Sequence, residues 1–217
     1  SFSVVAAGTA PLTYQWQLST AGAGGPWNNI SNGGVYSGAT TATLAITGAT
    51  IGMNTYQYRC VVTGNCAPFT VNSNPAVLTV NAATIITVQP PPSVTVCAPD
   101  PVSIAVTATG TSLSYQWQQS TNGGVTWNNL VNAGIYSGVT TATMTINPTS
   151  APMNGYQYRC VINSSCGALN SNVTVLVVNA APAITGQPSN VSSCAGNLAT
   201  FSVTATGSGL TYQWQES

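Results

Sequence analysis

Hydrophobic and polar residues alternate in short runs along this chain, and clusters of Gly, Asn and Pro separate the runs. No long stripe with the 3.6-residue period of a helix appears. Alternation with a period of two places neighbouring side chains on opposite faces of a sheet. Short runs rich in Val, Ile, Thr and Tyr between turn residues are typical of β-strands. The pattern therefore predicts an all-β protein.

The pattern is itself repeated, because Tyr-Gln-Trp-Gln occurs at residues 14–17, 115–118 and 212–215. Copies about a hundred residues apart are whole domains, too long to be turns of a solenoid. We predict a first repeat at 1–81 that lacks its first strand, a complete second repeat at 82–179, and a third repeat at 180–217 with only its N-terminal strands. We interpret the chain as a window of a longer array.

The second repeat is predicted to contain eight strands. Asn122-Gly123-Gly124 is expected to form a hairpin turn, and the segments 81–92 and 179–190 are expected to be linkers between repeats. With the usual letters, the strands are 93–97 (A), 102–109 (B), 113–119 (C), 125–130 (C′), 134–138 (D), 141–147 (E), 156–162 (F) and 171–179 (G).

Alternation on strands C and F assigns their faces. Tyr115 and Trp117 share one face of strand C, and Tyr158 and Cys160 share one face of strand F. These apolar faces are expected to meet in the core. The residues that we expect to anchor the cores of the repeats are Trp16, Trp117, Trp214, Tyr58 and Tyr158.

A Tyr two residues before a Cys on a late strand, with a Trp on an earlier strand, resembles the immunoglobulin pattern. The stretches 12–17 and 154–160 carry this resemblance. The repeats are similar to the tandem immunoglobulin-like domains of large bacterial surface and secreted proteins, especially of the Bacteroidetes type. The resemblance implies antiparallel β-sandwiches arranged as a rod. It also implies an extracellular or cell-surface location and a structural role in an adhesin or a filament.

The cysteines depart from the immunoglobulin pattern. Val4, Val106 and Val203 stand where the family has the strand B cysteine, so the core disulfide is missing. We expect the strand F cysteines to pack as small hydrophobic residues. The residues that remain candidates for disulfides are Cys60, Cys66, Cys97, Cys160, Cys166 and Cys194. Three alternatives stay open: a bridge from Cys97 within its own repeat, a bridge from each A–B cysteine to the F–G cysteine of the following repeat, and reduced thiols.

Charge is almost absent from the chain. Arg59, Arg159, Asp100 and Glu216 are the only charged side chains, and there is no His or Lys. Acid–base catalysis needs groups that exchange protons near working pH, so we expect no enzyme activity in this segment. We also expect no metal or cofactor, and no nucleic-acid binding, because that requires a basic surface. No apolar run is long enough for a membrane span.

The polar faces of strands C and F form the candidate interaction face. We expect its residues either to recognise surface glycans or to form an ordinary solvated sheet face. The arginines of this face are also expected to stack on neighbouring Tyr rings. The candidate residues are Gln15, Gln17, Trp27, Gln57 and Arg59, with their counterparts Gln116, Gln118, Trp127, Gln157 and Arg159.

These observations predict a structural or adhesive segment of a long extracellular rod or filament. Its expected partners are neighbouring repeats, like chains, surface glycans, or a host or prey cell. Two alternatives remain: an array of glycan-binding modules, and a passive spacer of a large secreted enzyme.

Overall fold

The computed structural model describes all 217 residues. Two short 3-10 turns, Ile51–Met53 and Ala151–Met153, are the only helical elements. The strands in chain order are β1 (Phe2–Ser3), β2 (Thr13–Ser19), β3 (Asn28–Asn29), β4 (Tyr36–Ser37), β5 (Thr43–Ile46), β6 (Gln57–Thr63), β7 (Thr70–Asn72), β8 (Ala76–Val77), β9 (Ile85–Val88), β10 (Ser93–Cys97), β11 (Val102–Ala105), β12 (Thr107–Thr109), β13 (Ser114–Ser120), β14 (Asn128–Asn129), β15 (Tyr136–Ser137), β16 (Thr143–Ile146), β17 (Gln157–Ser164), β18 (Gly167–Asn170), β19 (Thr174–Asn179), β20 (Ala183–Gly186) and β21 (Thr204–Thr206).

The chain forms two compact units, Ser1–Ala82 and Ala83–Ser217. In the second unit, the larger sheet has the order β10-β19-β17-β13-β14, and β18 also pairs with β17. The facing sheet has the order β11-β16-β15, and β9 pairs with β12. The apolar faces of these sheets enclose one core, so the predicted all-β sandwich is confirmed.

Tryptophan anchors each of the two cores. Trp117 on β13 pairs with Cys160 on β17, and both are fully buried. The indole Nε1 of Trp117 donates a hydrogen bond to the backbone oxygen of Thr141 at 2.9 Å. Trp16 repeats this arrangement and donates to the oxygen of Thr41 at 2.9 Å. A buried indole N–H without a partner would destabilise the fold, so this bond fixes the ring between the two sheets.

The anchoring tyrosines are also buried, but their hydroxyl groups differ from a tyrosine corner. In immunoglobulin domains that hydroxyl bonds to the backbone. Here the Tyr158 hydroxyl lies 3.3 Å from the Tyr136 hydroxyl, and the Tyr58 hydroxyl lies 3.2 Å from that of Tyr36. In the second repeat Gln119 also donates to both hydroxyls. A side-chain network therefore replaces the backbone contact.

The first unit contains a smaller version of the same sandwich. One sheet has the order β3-β2-β6-β7, with β8 paired to β6, and the other has the order β1-β5-β4. Its last strand, β8, has only two residues, whereas the equivalent β19 has six. No strand in this unit corresponds to β9 or β10.

The predicted strand boundaries require several corrections: strand B is divided into β11 and β12, which pair in different sheets, C′ is reduced to Asn128–Asn129, and β18 was not predicted. The segments 81–92 and 179–190 are not simple linkers, because they contain β9 and β20, which pair with β12 and β21. The strand at 93–97 pairs with β19 in parallel, so the sheets are not wholly antiparallel. The Asn122–Gly124 turn is confirmed: both of its glycines have positive φ, and the Ser120 hydroxyl accepts a bond from the Gly124 amide at 2.9 Å.

In the third repeat only β20 and β21 form strands. Trp214, which we expected to be a core anchor, is 53% exposed, and its anchoring role stays a prediction. In the second repeat the equivalent Trp117 is covered by β16 and β17 and their neighbours. Residues 180–217 contain no third copy of those strands.

Candidate functional site

The polar side chains of β13 and β17 form a connected row on the outer face of the second repeat. Gln118 and Arg159 are cross-strand partners, and the Arg159 Nε donates to the Gln118 Oε1 at 2.8 Å. The Gln118 Nε2 in turn donates to the Asn129 Oδ1 at 2.8 Å. The Arg159 guanidinium lies over the Trp127 ring, 4.3 Å from its centroid. We call Asn129, Gln118, Arg159 and Trp127 the outer ladder of the second repeat.

The first repeat carries the same ladder in Asn29, Gln17, Arg59 and Trp27. The Arg59 Nε donates to the Gln17 Oε1 at 2.8 Å, and the Gln17 Nε2 donates to the Asn29 Oδ1 at 2.8 Å. The Arg59 guanidinium lies 4.4 Å from the Trp27 ring centroid. Both ladders therefore contain the same contacts at nearly the same distances.

The arginines stack on tryptophan and not on tyrosine, which corrects the expectation from sequence. Strand pairing explains the difference, because Gln118 pairs with Asn129 on β14. This pairing brings Trp127, which directly precedes β14, beside strand β17. Tyr156 and Tyr158 alternate with Arg159 and belong to the opposite, inward face.

Two other glutamines of the predicted face, Gln15 and Gln116, have structural roles. The Gln116 Nε2 donates to the backbone oxygens of Trp117 and Leu130, both at 2.8 Å. Gln15 makes the equivalent bonds to Trp16 and Ile30 at 2.9 Å. Both amides tie the tryptophan strand to the next segment of chain. The Gln57 Oε1 is buried without a hydrogen-bond partner.

The ladder uses one guanidinium N–H of each arginine and one amide N–H of each glutamine, and the remaining guanidinium donors have no protein partner. The guanidinium covers one face of each Trp ring, and the Trp127 Nε1 donates to the Gly124 oxygen at 3.0 Å. A sugar that stacked on this ring face would have to displace the arginine. The ladder is therefore a partly apolar surface on which the arginine keeps free hydrogen-bond donors at its outer edge.

A family model described as a domain of unknown function, DUF8696, matches residues 2–82 and again residues 87–180. The chain belongs to this family. Each of the two matches includes a complete outer ladder and one buried Trp anchor. No curated protein matches the chain.

Solved structures show the fold of the DUF8696 repeats. A fragment with three immunoglobulin domains of titin has a TM-score of 0.62 and 19% identity, and the match covers 84% of this chain and 60% of that one. The three N-terminal domains of the highly immunogenic outer capsid protein of bacteriophage RB49 have a TM-score of 0.57 and 13% identity, with coverages of 77% and 57%. This chain therefore spans about three fifths of each. The tandem immunoglobulin-like fold predicted from the sequence is confirmed.

The structure contains no disulfide bond. Cys60 and Cys160 are fully buried beside the Trp anchors, and burial raises the pKa of both thiols, that of Cys160 to about 11. A thiolate is the reactive form of cysteine, so these two residues serve as core packing.

A bridge between Cys97 and Cys166 within the second DUF8696 repeat is excluded by strand register. Cys97 lies level with Asn179, beyond the end of β17 where Gln157 pairs with Val175. Cys166 follows the other end of β17. At about 3.3 Å per residue the two cysteines are roughly 35 Å apart, whereas a disulfide requires Cα atoms within about 7 Å. The bridge between successive repeats and the reduced thiols remain predictions.

No three His, Cys, Asp or Glu side chains lie together as a candidate metal site. The structure also has no helix with the length and apolar character that a membrane crossing requires.

Proposed function

We propose that this chain is a structural segment of an extracellular, rod-like array of DUF8696 repeats, which positions or joins other parts of an adhesive surface protein. In this array the chain contributes three repeats, with boundaries between residues 81 and 82 and between residues 179 and 180. Neighbouring repeats and like chains are its principal partners. The same mechanical role would serve a secreted enzyme whose catalytic domain lies elsewhere.

The observation that carries the proposal is the recurrence of one sandwich, with the same internal contacts, in two successive repeats. The Trp anchor, the tyrosine pair and the outer ladder recur with distances that differ by 0.1 Å or less. A repeat whose core and outer ladder are tied together by its own residues contributes stiffness and length rather than a reaction. The near-absence of charge supports close association of like chains, because uncharged surfaces do not repel each other.

Small-angle X-ray scattering of the full chain tests the rod. A compact protein of 217 residues has a radius of gyration of about 17 Å, whereas repeats joined end to end should give a value more than about one and a half times larger. A value close to 17 Å would contradict the proposal. A series of increasing chain concentrations in the same experiment detects lateral association of like chains.

Glycan binding is the second candidate function, because Trp27 and Trp127 remain partly exposed at the edge of the sandwich. A glycan array probed with the wild-type chain and with a Trp27→Ala, Trp127→Ala double variant tests this alternative. Binding that the double variant loses would support it. The matched control is Val125→Ala, because Val125 is 79% exposed on the same segment and takes no part in the ladder. Absence of binding by the wild-type chain would reject this function.

A further inference from the structure

The arginine of each outer ladder is held in one position by its own repeat. In the second repeat the Arg159 Nε donates to the Gln118 Oε1 at 2.8 Å, and the guanidinium lies 4.3 Å from the Trp127 ring centroid. The first repeat holds its arginine by the equivalent contacts at 2.8 and 4.4 Å. A free arginine side chain loses conformational entropy when it binds a ligand. Here the fold has already restricted the side chain, so each guanidinium is pre-organised for binding.

The outer edge of the guanidinium remains available to a ligand. Only the Nε of Arg159 donates to a protein acceptor, so the N–H groups on Nη1 and Nη2 have no protein partner. Parallel N–H groups at one edge of a guanidinium match the two oxygens of a carboxylate. The amides beside it add further donors, because Gln118 uses one of its two Nε2 hydrogens and the Asn129 amide serves only as an acceptor. The row therefore offers N–H donors and suits a ligand rich in acceptor oxygens.

No acidic side chain compensates the charge of this arginine. The first repeat contains no Asp or Glu, and the single acidic residue of the second repeat is Asp100, just after β10. The last residue of β10 lies level with Asn179, which is four residues from Val175. Arg159 lies two residues beyond Gln157, the partner of Val175, in the opposite direction. The end of β10 is therefore roughly 20 Å from Arg159 along the strands at about 3.3 Å per residue, well beyond the screening length of about 8 Å at physiological salt.

We propose that the outer edge of each ladder arginine binds the carboxylate groups of a linear acidic polysaccharide. A carboxylate at this edge leaves Arg159 in place over Trp127, whereas a neutral sugar on the ring face would displace it. This inference rests on glycan binding, the second candidate function, and is independent of the rod. It names the chemical class of the glycan and moves the contact from the Trp ring to the arginine.

The recurrence of the site favours a polymeric ligand. Each of the first two repeats carries one ladder, and the distances in the two ladders are nearly identical. An array of such repeats presents the same acid-binding group once per repeat. A polysaccharide that carries an acid on each of its sugars offers many identical groups, and binding of one raises the effective concentration of the next. A single acidic side chain of a partner protein has no such advantage.

The first test is an NMR titration of the isotope-labelled full chain with trigalacturonate, observed at the indole N–H groups. The Trp27 and Trp127 signals should shift, because these rings lie against the arginines. The signals of Trp16 and Trp117 should not shift, because both indoles are buried. Maltotriose, an uncharged trisaccharide, is the matched probe and should have no effect. Absence of a shift at Trp27 and Trp127 with millimolar trigalacturonate, or equal shifts with maltotriose, would overturn the proposal.

Two double variants separate the geometry of the site from its charge. An Arg59→Gln, Arg159→Gln chain lacks both guanidinium groups, and its affinity for polygalacturonate should fall by about tenfold or more per site. An Arg59→Lys, Arg159→Lys chain keeps both charges but loses the planar fork, so most of the affinity should be lost as well. Circular dichroism checks that both variants remain folded, and the wild-type titration does not depend on them. Wild-type affinity in either variant would overturn the proposal.

Two further polyanions identify the source of the acidic group. Polyglutamate should bind more weakly than polygalacturonate of equal charge, because it lacks the sugar oxygens that the amides of Gln118 and Asn129 would contact. Equal binding would overturn the assignment to a polysaccharide. Dextran sulfate carries sulfates on a sugar chain, and tighter binding of this polymer would overturn the assignment to a carboxylate. Binding of neutral glycans that survives the Arg→Gln substitutions would overturn this inference but support the second candidate function, so the two can be distinguished.

Discussion

The first and second repeats share their centres but differ at their edges. Both bury a Trp, a Tyr and a Cys in the same arrangement. The second repeat also buries Ile162 and Leu176 completely, whereas the equivalent Val62 and Leu78 of the first repeat are only half-buried. In the second repeat β9 and β10 pair with β12 and β19 beside these residues.

The centre and the edges of each repeat depend on different strands. The Trp anchor and the outer ladder form from strands within one repeat and do not need β10. The length of the last strand does depend on it, because β19 has a parallel partner and β8 has none. We therefore expect the first repeat to be the less stable of the two.

The largest expected effect comes from removing the anchors. Trp→Ala in a core costs about 3–5 kcal/mol. Trp16→Ala should therefore unfold the smaller first repeat at 25 °C, whereas Trp117→Ala should leave the second repeat folded with a lower urea midpoint. Hydrogen–deuterium exchange of the backbone amides in β6 and β17 measures the stability of each repeat separately. Trp27→Phe and Trp127→Phe are the matched surface controls. If the two Trp→Ala substitutions destabilise their repeats to the same extent, the proposed difference in stability is wrong.

The next largest effect is expected from alkaline pH. Burial, and then the contact with a second tyrosine hydroxyl, raises the pKa of Tyr58 and Tyr158 above the usual value. Burial also raises the pKa of the Cys160 thiol from 9.0 to about 11. These groups stay neutral in the folded state and ionise more readily when unfolded. The contribution of the Cys160 thiol to stability is therefore complete below about pH 8.5 and is lost as the pH rises to 11, whereas that of the two tyrosines begins to be lost near pH 10 and continues to fall above pH 11.

Urea midpoints at pH 3, 7, 10 and 11 check this dependence. The midpoint should vary little from pH 3 to 8, because the chain has only two side-chain carboxyl groups. In a Cys160→Ala chain the loss between pH 9 and 11 should become smaller for the second repeat, while the loss caused by Tyr58 and Tyr158 remains. An unchanged alkaline slope in that variant would exclude the thiol as a contributor.

Ile86→Ala should make the second repeat resemble the first. Because Ile86 is half-buried, the expected loss is about 1–2 kcal/mol, less than for a fully buried isoleucine. In the Ile86→Ala chain, hydrogen–deuterium exchange of the backbone amides should accelerate at β12 and at the end of β19. Ile85→Ala is the matched control, since Ile85 is 60% exposed and should have little effect. If both variants behave alike, the packing of Ile86 does not stabilise this edge.

The smallest effect is expected in the outer ladder. Arg159→Lys removes the planar group that both stacks on Trp127 and bonds to Gln118. The expected loss is about 0.5–1 kcal/mol. Arg59→Lys should cost the same, because its contacts have nearly identical distances. A clear difference in thermal shift between the two variants would show that the ladders are not equivalent.

The sequence was sufficient to predict the centre of each repeat. The positions of Trp117 and Cys160 on neighbouring strands follow from alternation with a period of two and from the spacing of turn residues. The exposed position of Trp214 did not follow, because burial depends on strands that pack against a residue and not on the local motif. A motif identifies a strand, but only the assembled sheet makes its residue a core residue.

The edges were harder to predict. Ile85–Val88 reads locally as a strand, but it precedes three prolines and was therefore assigned to a linker. Its pairing with residues about twenty positions later leaves no short-range signal, since no hairpin turn connects the two strands. The stacking of Arg159 on Trp127 was likewise hidden, because it depends on the register between β13 and β14.

The position of the two arginines has a consequence for proteolysis. A protease that cleaves after Arg or Lys has only two target bonds, Arg59–Cys60 and Arg159–Cys160. Both bonds lie inside the central strand of a sandwich, and both arginine side chains are held by Gln and Trp. Cleavage therefore requires a whole repeat to unfold. We expect the lifetime of the chain in trypsin to equal the unfolding time of its less stable repeat.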